Sequence, residues 1–196
     1  MKTKRIVNVG VGGQGNLLAS NLLGMAALDA GLPVMVSEIH GMAQRGGVVE
    51  SAVIIGEALS PIVSQGEADI LMGFEPVETL RAMTKANKDT LVITNTRPLP
   101  PFTVAIGQAP YPDVAEVLAL IKKEVKTLVA FDGQELAEKA KNPLSLNMVM
   151  LGALFAAGDL GIPVKSIKKM IRQQGKKKFT ASNLEAFELG FQAASI

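Results

Sequence analysis

The sequence predicts an α/β protein: a mostly parallel, twisted, Rossmann-like sheet with helices on both faces and a helical C-terminal portion. Three observations carry this. Short runs rich in Val and Ile alternate with helical segments through the first two thirds of the 196 residues, helices alone close the chain, and Gly10, Gly12 and Gly15 fall in the G-x-G-x-x-G spacing of a strand-to-helix turn. The length suits one full hydrophobic core, so residues 1–196 read as a single domain.

The first strand is Arg5–Gly10, an apolar run ending in glycine. A helix from about Gly13 to Ala30 follows and stops at Gly31-Leu32-Pro33. Pro33–Glu38 is the second strand, which completes a βαβ unit as a parallel sheet requires. His40–Gly47 is a glycine-rich loop, and Val48–Ile55 is a third strand. Asp69–Phe74 and Thr90–Asn95 are strands on either side of a helix opened by Glu75-Pro76, proline being well placed in a first turn. Five prolines between Arg97 and Pro112, around a strand-like Thr103–Ile106, mark 97–112 as an excursion. A helix over Asp113–Val125, with Asp113 as N-cap, leads to the strand Thr127–Phe131. Helices over 132–140, 143–158, 163–175 and 180–194 complete the chain.

Composition excludes several classes. No cysteine is present, so this chain forms no disulfide and offers no thiolate to zinc or to an iron–sulfur cluster. One histidine and no acidic cage motif leave no metal site. A net charge of +2 gives no support to nucleic-acid binding. Nothing reads as a secretion signal or membrane span, which fits a cytoplasmic protein. Asp29 is the only charge between Ile6 and Ser37, and none lies between Asn142 and Gly158, so these two helices are either interior or covered by another chain. Seven cations among residues 165–178 could meet an acidic partner or form an ordinary solvated helix face.

The candidate site lies between Ile6 and Gly47. Gly10, Gly12, Gly13 and Gly15 can bring backbone N–H groups close to an anion or a partner's backbone, with the Gln14 carboxamide beside them. Without a ligand, the same glycines make a close-packed turn. Glu38 stands where a dinucleotide fold puts its ribose-binding carboxylate. His40, Gln44 and Arg45 crowd into a loop bracketed by Gly41, Gly46 and Gly47, at the sheet edge where ligands bind. Taken singly, His40 reads as a structural histidine and Arg45 as a surface charge.

At GVGGQGNLLAS, SEIHGMAQRGG and EADILMGFEPVETL the sequence resembles the 2-oxoacid:ferredoxin oxidoreductases, above all the small (β) subunit of the indolepyruvate enzymes. NMVMLG and NLEAFELG extend the likeness almost to the C-terminus. The resemblance implies a domain like the γ unit of pyruvate ferredoxin oxidoreductase. It also implies a role in oxidative decarboxylation of a 2-oxoacid to an acyl-CoA and CO2, with ferredoxin taking the electrons. Thiamine diphosphate and iron–sulfur clusters would belong to a large (α) partner subunit, since this chain lacks cysteine and a GDG…NN thiamine motif. Coenzyme A would be a co-substrate, and this chain would not be active alone, though it could pair with itself when isolated. In that setting His40, Arg45 and Gln44 are the candidate catalytic residues: His40 and Arg45 would contact the oxoacid carboxylate, its adduct or CoA phosphates, since arginine binds such groups bidentately, and Gln44 with Gln14 would orient them. Gly10, Gly12, Gly13, Gln14, Gly15, Glu38, Gly46 and Gly47 are the candidate cofactor-binding residues. A stand-alone NAD-dependent protein using Gly10, Gly12, Gly15 and Glu38 is the rival reading, and a purely structural subunit is a third.

Overall fold

The computed structural model describes residues 2–40, 47–101, 104, 106–108, 110–174 and 177–195. Among them the strands are β1 (Lys4–Val11), β2 (Val34–His40), β3 (Val48–Ile55), β4 (Ile70–Gly73), β5 (Leu91–Asn95) and β6 (Thr127–Phe131). The helices are α1 (Asn16–Asp29), α2 (Pro76–Arg81), α3 (Val114–Glu124), α4 (Gly133–Lys139), α5 (Leu146–Ala157), α6 (Val164–Gln174) and α7 (Thr180–Ala193). Short 3-10 turns follow α2 at Ala82–Lys85 and precede α7 at Lys177–Phe179. No helix among the described residues is long and apolar enough to cross a membrane.

One sheet runs in the order β2-β3-β1-β4-β5-β6. The predicted α/β class holds, and β1, β4, β5 and β6 are parallel. The local expectation of adjacent β1 and β2 does not. β3 lies between them, antiparallel to both. The connection after His40 is too short for the crossover of about a dozen residues that a parallel neighbour needs, so the chain returns as a hairpin. β2 keeps the direction of β1 but stands one strand further out. The strand-like segment expected at 103–106 falls largely outside the described residues.

Alternation along the strands divides the core in two. Ile6, Val53, Ile70, Met72 and Ile93 face α1, α5 and α7, while Val7, Ile54, Leu71 and Val92 face Val117 and Ile121 of α3 on the other side. Helix α1 starts at Asn16 rather than Gly13, because Gly13 and Gly15 hold left-handed angles of φ 107° and 81°. The charge-free helix α5 buries ten of its twelve residues, so core burial within this chain explains its composition. Helix α1 is less enclosed, with Leu18 and Leu28 exposed. Two cations of the basic stretch join helices: Lys168 pairs with Glu188 on α7, and Lys169 with Asp29 at the end of α1.

Helices α5 and α7 cross on two glycines that end the NMVMLG and NLEAFELG segments. A Cβ at Gly152 would lie 2.0 Å from the Phe187 carbonyl oxygen, and one at Gly190 would lie 1.9 Å from that of Val149. The two backbones are therefore in mutual contact and cannot admit a methyl group without separating. We predict that Gly152→Ala or Gly190→Ala lowers stability by about 2 kcal/mol or more, read from urea unfolding. A loss below about 0.5 kcal/mol, the range of an ordinary surface change, would contradict this packing.

Candidate functional site

The carboxyl edge of the parallel strands is tied together by the backbone of one residue, Phe74. The Phe74 amide donates to the Val9 carbonyl at 2.8 Å. The Phe74 carbonyl accepts from Gln14 Nε2 at 2.9 Å and from Asn95 Nδ2 at 3.0 Å. Gln14 Oε1 in turn accepts from the Val11 amide, and Asn95 Oδ1 from the amides of Arg97 and Gly133. The ends of β1, β4 and β5 and the start of α4 thus share one hydrogen-bond network. A Cβ at Gly10 would come within 2.9 Å of both Gln14 Oε1 and Phe74 Cβ, which is why glycine occupies this position of β1.

The two halves of the sequence-predicted site meet at this edge. The Gly12 amide donates to the Gly47 carbonyl at 2.8 Å, and Val11 is paired with Val48, so the glycine turn and the end of the 41–47 loop are in contact. Gly13 faces open space. Gly15 lies against Asn147 of α5. Gln14 points both its polar atoms inward and braces the turn. His40 is the last residue of β2, opposite Val49. Gln44, Arg45 and Gly46 lie outside the described residues. Glu38 is exposed and paired across the ladder with Ser51, with β3 between it and the glycines. A dinucleotide cradle finds little here, because the Gly12 and Gln14 amides are engaged by the Gly47 and Val11 carbonyls and the carboxylate is a strand too far.

The residues that sequence reasoning missed follow directly after Phe74. Glu75 is buried and caps α2, its Oε2 accepting from the Glu78 amide at 2.9 Å. Glu75 Oε1 accepts from the Leu99 amide and from the Tyr111 hydroxyl. One turn on, Glu78 is also buried; its Oε1 accepts from Arg81 Nη1 at 2.6 Å, and its Oε2 has no partner among the described residues. Burial, with some help from the Glu75 charge, holds the Glu78 carboxyl above its ordinary value against the opposing pull of Arg81. Burial and the bond to Glu75 likewise hold the Tyr111 hydroxyl far above the usual phenol range, so it remains a donor. These groups border a cavity of about 250 Å³ walled by Val77, Leu99, Pro101, Pro110 and Pro112. A shallower depression of about 480 Å³ adjoins it through Leu99, with Gly13, Gln14, Arg97 and the exposed Leu144 on its rim. Arg97 is held there by Asp132 at 2.8 Å. The signal for Glu75 and Glu78 was two carboxylates around a proline at the end of a short buried strand, within a segment already noted for its resemblance.

Comparison with known proteins agrees with this geometry. The pyruvate ferredoxin/flavodoxin oxidoreductase family matches residues 5–193. The chain is 41% identical over 189 residues to indolepyruvate oxidoreductase subunit IorB of Archaeoglobus fulgidus, covering 96% of this chain and 94% of that one. It is 43% identical over 196 residues to the subunit of the same description from Thermococcus kodakarensis, covering 99% and 97%. In fold it is similar to the crystal structure of pyruvate oxidoreductase subunit PORC from Thermotoga maritima, with a TM-score of 0.73 at 21% identity over 98% and 97% of the two chains.

The raised Glu78 carboxyl has a sign that can be checked. The folded chain holds this proton more tightly than the unfolded chain, so the stability it contributes is present at low pH and is lost as pH rises past the ordinary value of 4.5 and through the folded one. Glu78→Gln, which carries no charge at any pH, is therefore expected to gain stability relative to the wild type between about pH 4 and about pH 8 in urea unfolding. A difference that stays flat, or reverses, across that range would contradict the burial of this carboxyl.

Proposed function

Because the chain belongs to the pyruvate ferredoxin/flavodoxin oxidoreductase family, we propose that it is the small subunit of an indolepyruvate-type oxidoreductase whose catalytic site is completed by a larger chain. The single observation that carries this reading is identity above 40% to indolepyruvate oxidoreductase subunits over nearly the full length of both partners. The assembled enzyme would oxidatively decarboxylate an aryl-pyruvate to an acyl-CoA and CO2 and pass the electrons to ferredoxin. A cytoplasmic location goes with that chemistry.

This chain's own residues fit a supporting role. It has no cysteine to ligate a cluster, so the iron–sulfur centres belong to the partner. Thiamine diphosphate, held by the large subunit, supplies the carbanion chemistry. The edge formed by residues 10–15 and 40–47 faces that subunit and the incoming coenzyme A. There His40 and Arg45 contact a carboxylate or phosphate, Arg45 through its planar fork, and Gln44 orients the bound group. The Gly12–Gly47 contact supports this assignment because it joins the loop to the rigid sheet edge. Gly13, with no neighbour around its Cβ position, leaves the approach open.

Co-expression with the large subunit tests the reading. The complex should reduce ferredoxin with indolepyruvate and coenzyme A, and Arg45→Ala should lower kcat/KM at least about tenfold, as loss of a charge-assisted hydrogen bond does. Unchanged turnover and an unchanged coenzyme A dependence in the variant would overturn the role given to Arg45. A wild-type complex without aryl-pyruvate activity would overturn the function itself.

A further inference from the structure

The cavity beside α2 is lined by residues to which no role has been assigned above. Its walls are largely apolar, with Val77, Leu99, Pro101, Pro110 and Pro112 on one side and the charged Glu75, Glu78 and Arg81 on the other, and the Tyr111 hydroxyl is bonded to Glu75. At about 250 Å³ it falls below the roughly 300–1,000 Å³ of sites that take a whole drug-sized ligand, so it suits one ring or side arm. Glu78 borders it with a side chain that is only 9% exposed. One carboxylate oxygen is taken by Arg81, while the other is shielded from water and has no donor among the described residues. A buried acceptor left in this state is costly unless something supplies a hydrogen. Because the Arg81 guanidinium already balances the charge of Glu78, a neutral donor suffices and a second cation is not required. Oε2 itself is enclosed by protein, so binding requires the carboxylate to turn about its terminal torsion, which is broad for glutamate. Val11, next to the glycine turn, also lines this space, so it opens on the edge assigned to the partner subunit.

We propose that this cavity receives the aromatic end of the 2-oxoacid and that Glu78 accepts a hydrogen bond from the ring N–H of an indole. The proposal rests on the function assigned above and adds the residue that tells an indole from a phenyl ring. The apolar side of the cavity takes the flat face of either ring. Only an indole gives Oε2 a donor, and a site with an unpaired polar group discriminates against analogues that cannot fill it.

The test uses the co-expressed complex with indolepyruvate, 1-methylindolepyruvate and phenylpyruvate. Glu78→Gln keeps the size of the side chain, but Arg81 claims its one carbonyl oxygen and the amide NH2 is left facing the ring. The variant should lose about tenfold or more in kcat/KM for indolepyruvate, through KM, and change less than about threefold for the two substrates without an N–H. Glu78→Leu, which has no acceptor, should show the same selective loss. An equal loss for all three substrates, or none, would overturn the assignment. So would a rise in the KM for coenzyme A by the same factor with every oxoacid, which would give the cavity to an amide of the coenzyme's arm instead. These outcomes all require a wild-type complex that turns over an aryl-pyruvate. A complex that turns over none of the three substrates fails the parent reading and carries this inference down with it.

Discussion

The carbonyl of Phe74 is the point on which the working edge of this protein depends. It accepts from the carboxamides of Gln14 and Asn95, which come from opposite sides of β4. Each carboxamide uses its other end on further backbone groups, so one buried oxygen aligns the β1–α1 turn, the end of β4 and the entry to α4. Buried networks of this kind fix a single arrangement because every alternative leaves a polar group unpaired. The glycines answer to the same constraint. Gly10 makes room for Gln14 and Phe74, and Gly73 for Thr79 beneath α2.

This bracing divides the labour at the edge. Gln14 and two of the turn's amides are engaged within the protein, so the glycine turn is a rigid platform with few donors left for a ligand. On the proposed function, chemistry falls to residues 40–47, and on the further inference to Glu78 of α2. A small chain that completes another subunit's site needs a stiff surface more than a catalytic apparatus of its own, since misplacement of a contact by about an ångström can cost a hundredfold in rate.

Much of this was legible in the sequence. Strand and helix types follow from apolar periodicity, and the contact between the glycine turn and the 40–47 loop follows from their shared place at a carboxyl edge. The antiparallel return of β3 was legible too, in the short connection after His40, but its insertion between β1 and β2 was not, and the G-x-G-x-x-G spacing favoured a plain βαβ reading that set Glu38 too close to the glycines. The bracing role of Gln14 could not be read, because nothing local says that a side chain beside a helix mouth will fold back on a strand 60 residues away. Glu75 and Glu78 were hidden for a related reason. Their burial depends on Tyr111 and Leu99, which a proline-rich segment brings over from further along the chain. Gly152 and Gly190 carried a recognisable motif whose cause, two helix backbones in contact, only appears when α5 meets α7.

The central claim is that the carboxyl edge meets a larger subunit, and the absence of cysteine makes it directly measurable. Leu144→Cys would put a lone thiol on the rim of that edge, and Lys123→Cys a second, separate one on exposed α3. Maleimide labelling of each, with and without the large subunit, reads which face is covered. The account predicts that assembly strongly slows labelling at position 144 and leaves position 123 unchanged. Full-rate labelling at 144 in the assembled complex would contradict it.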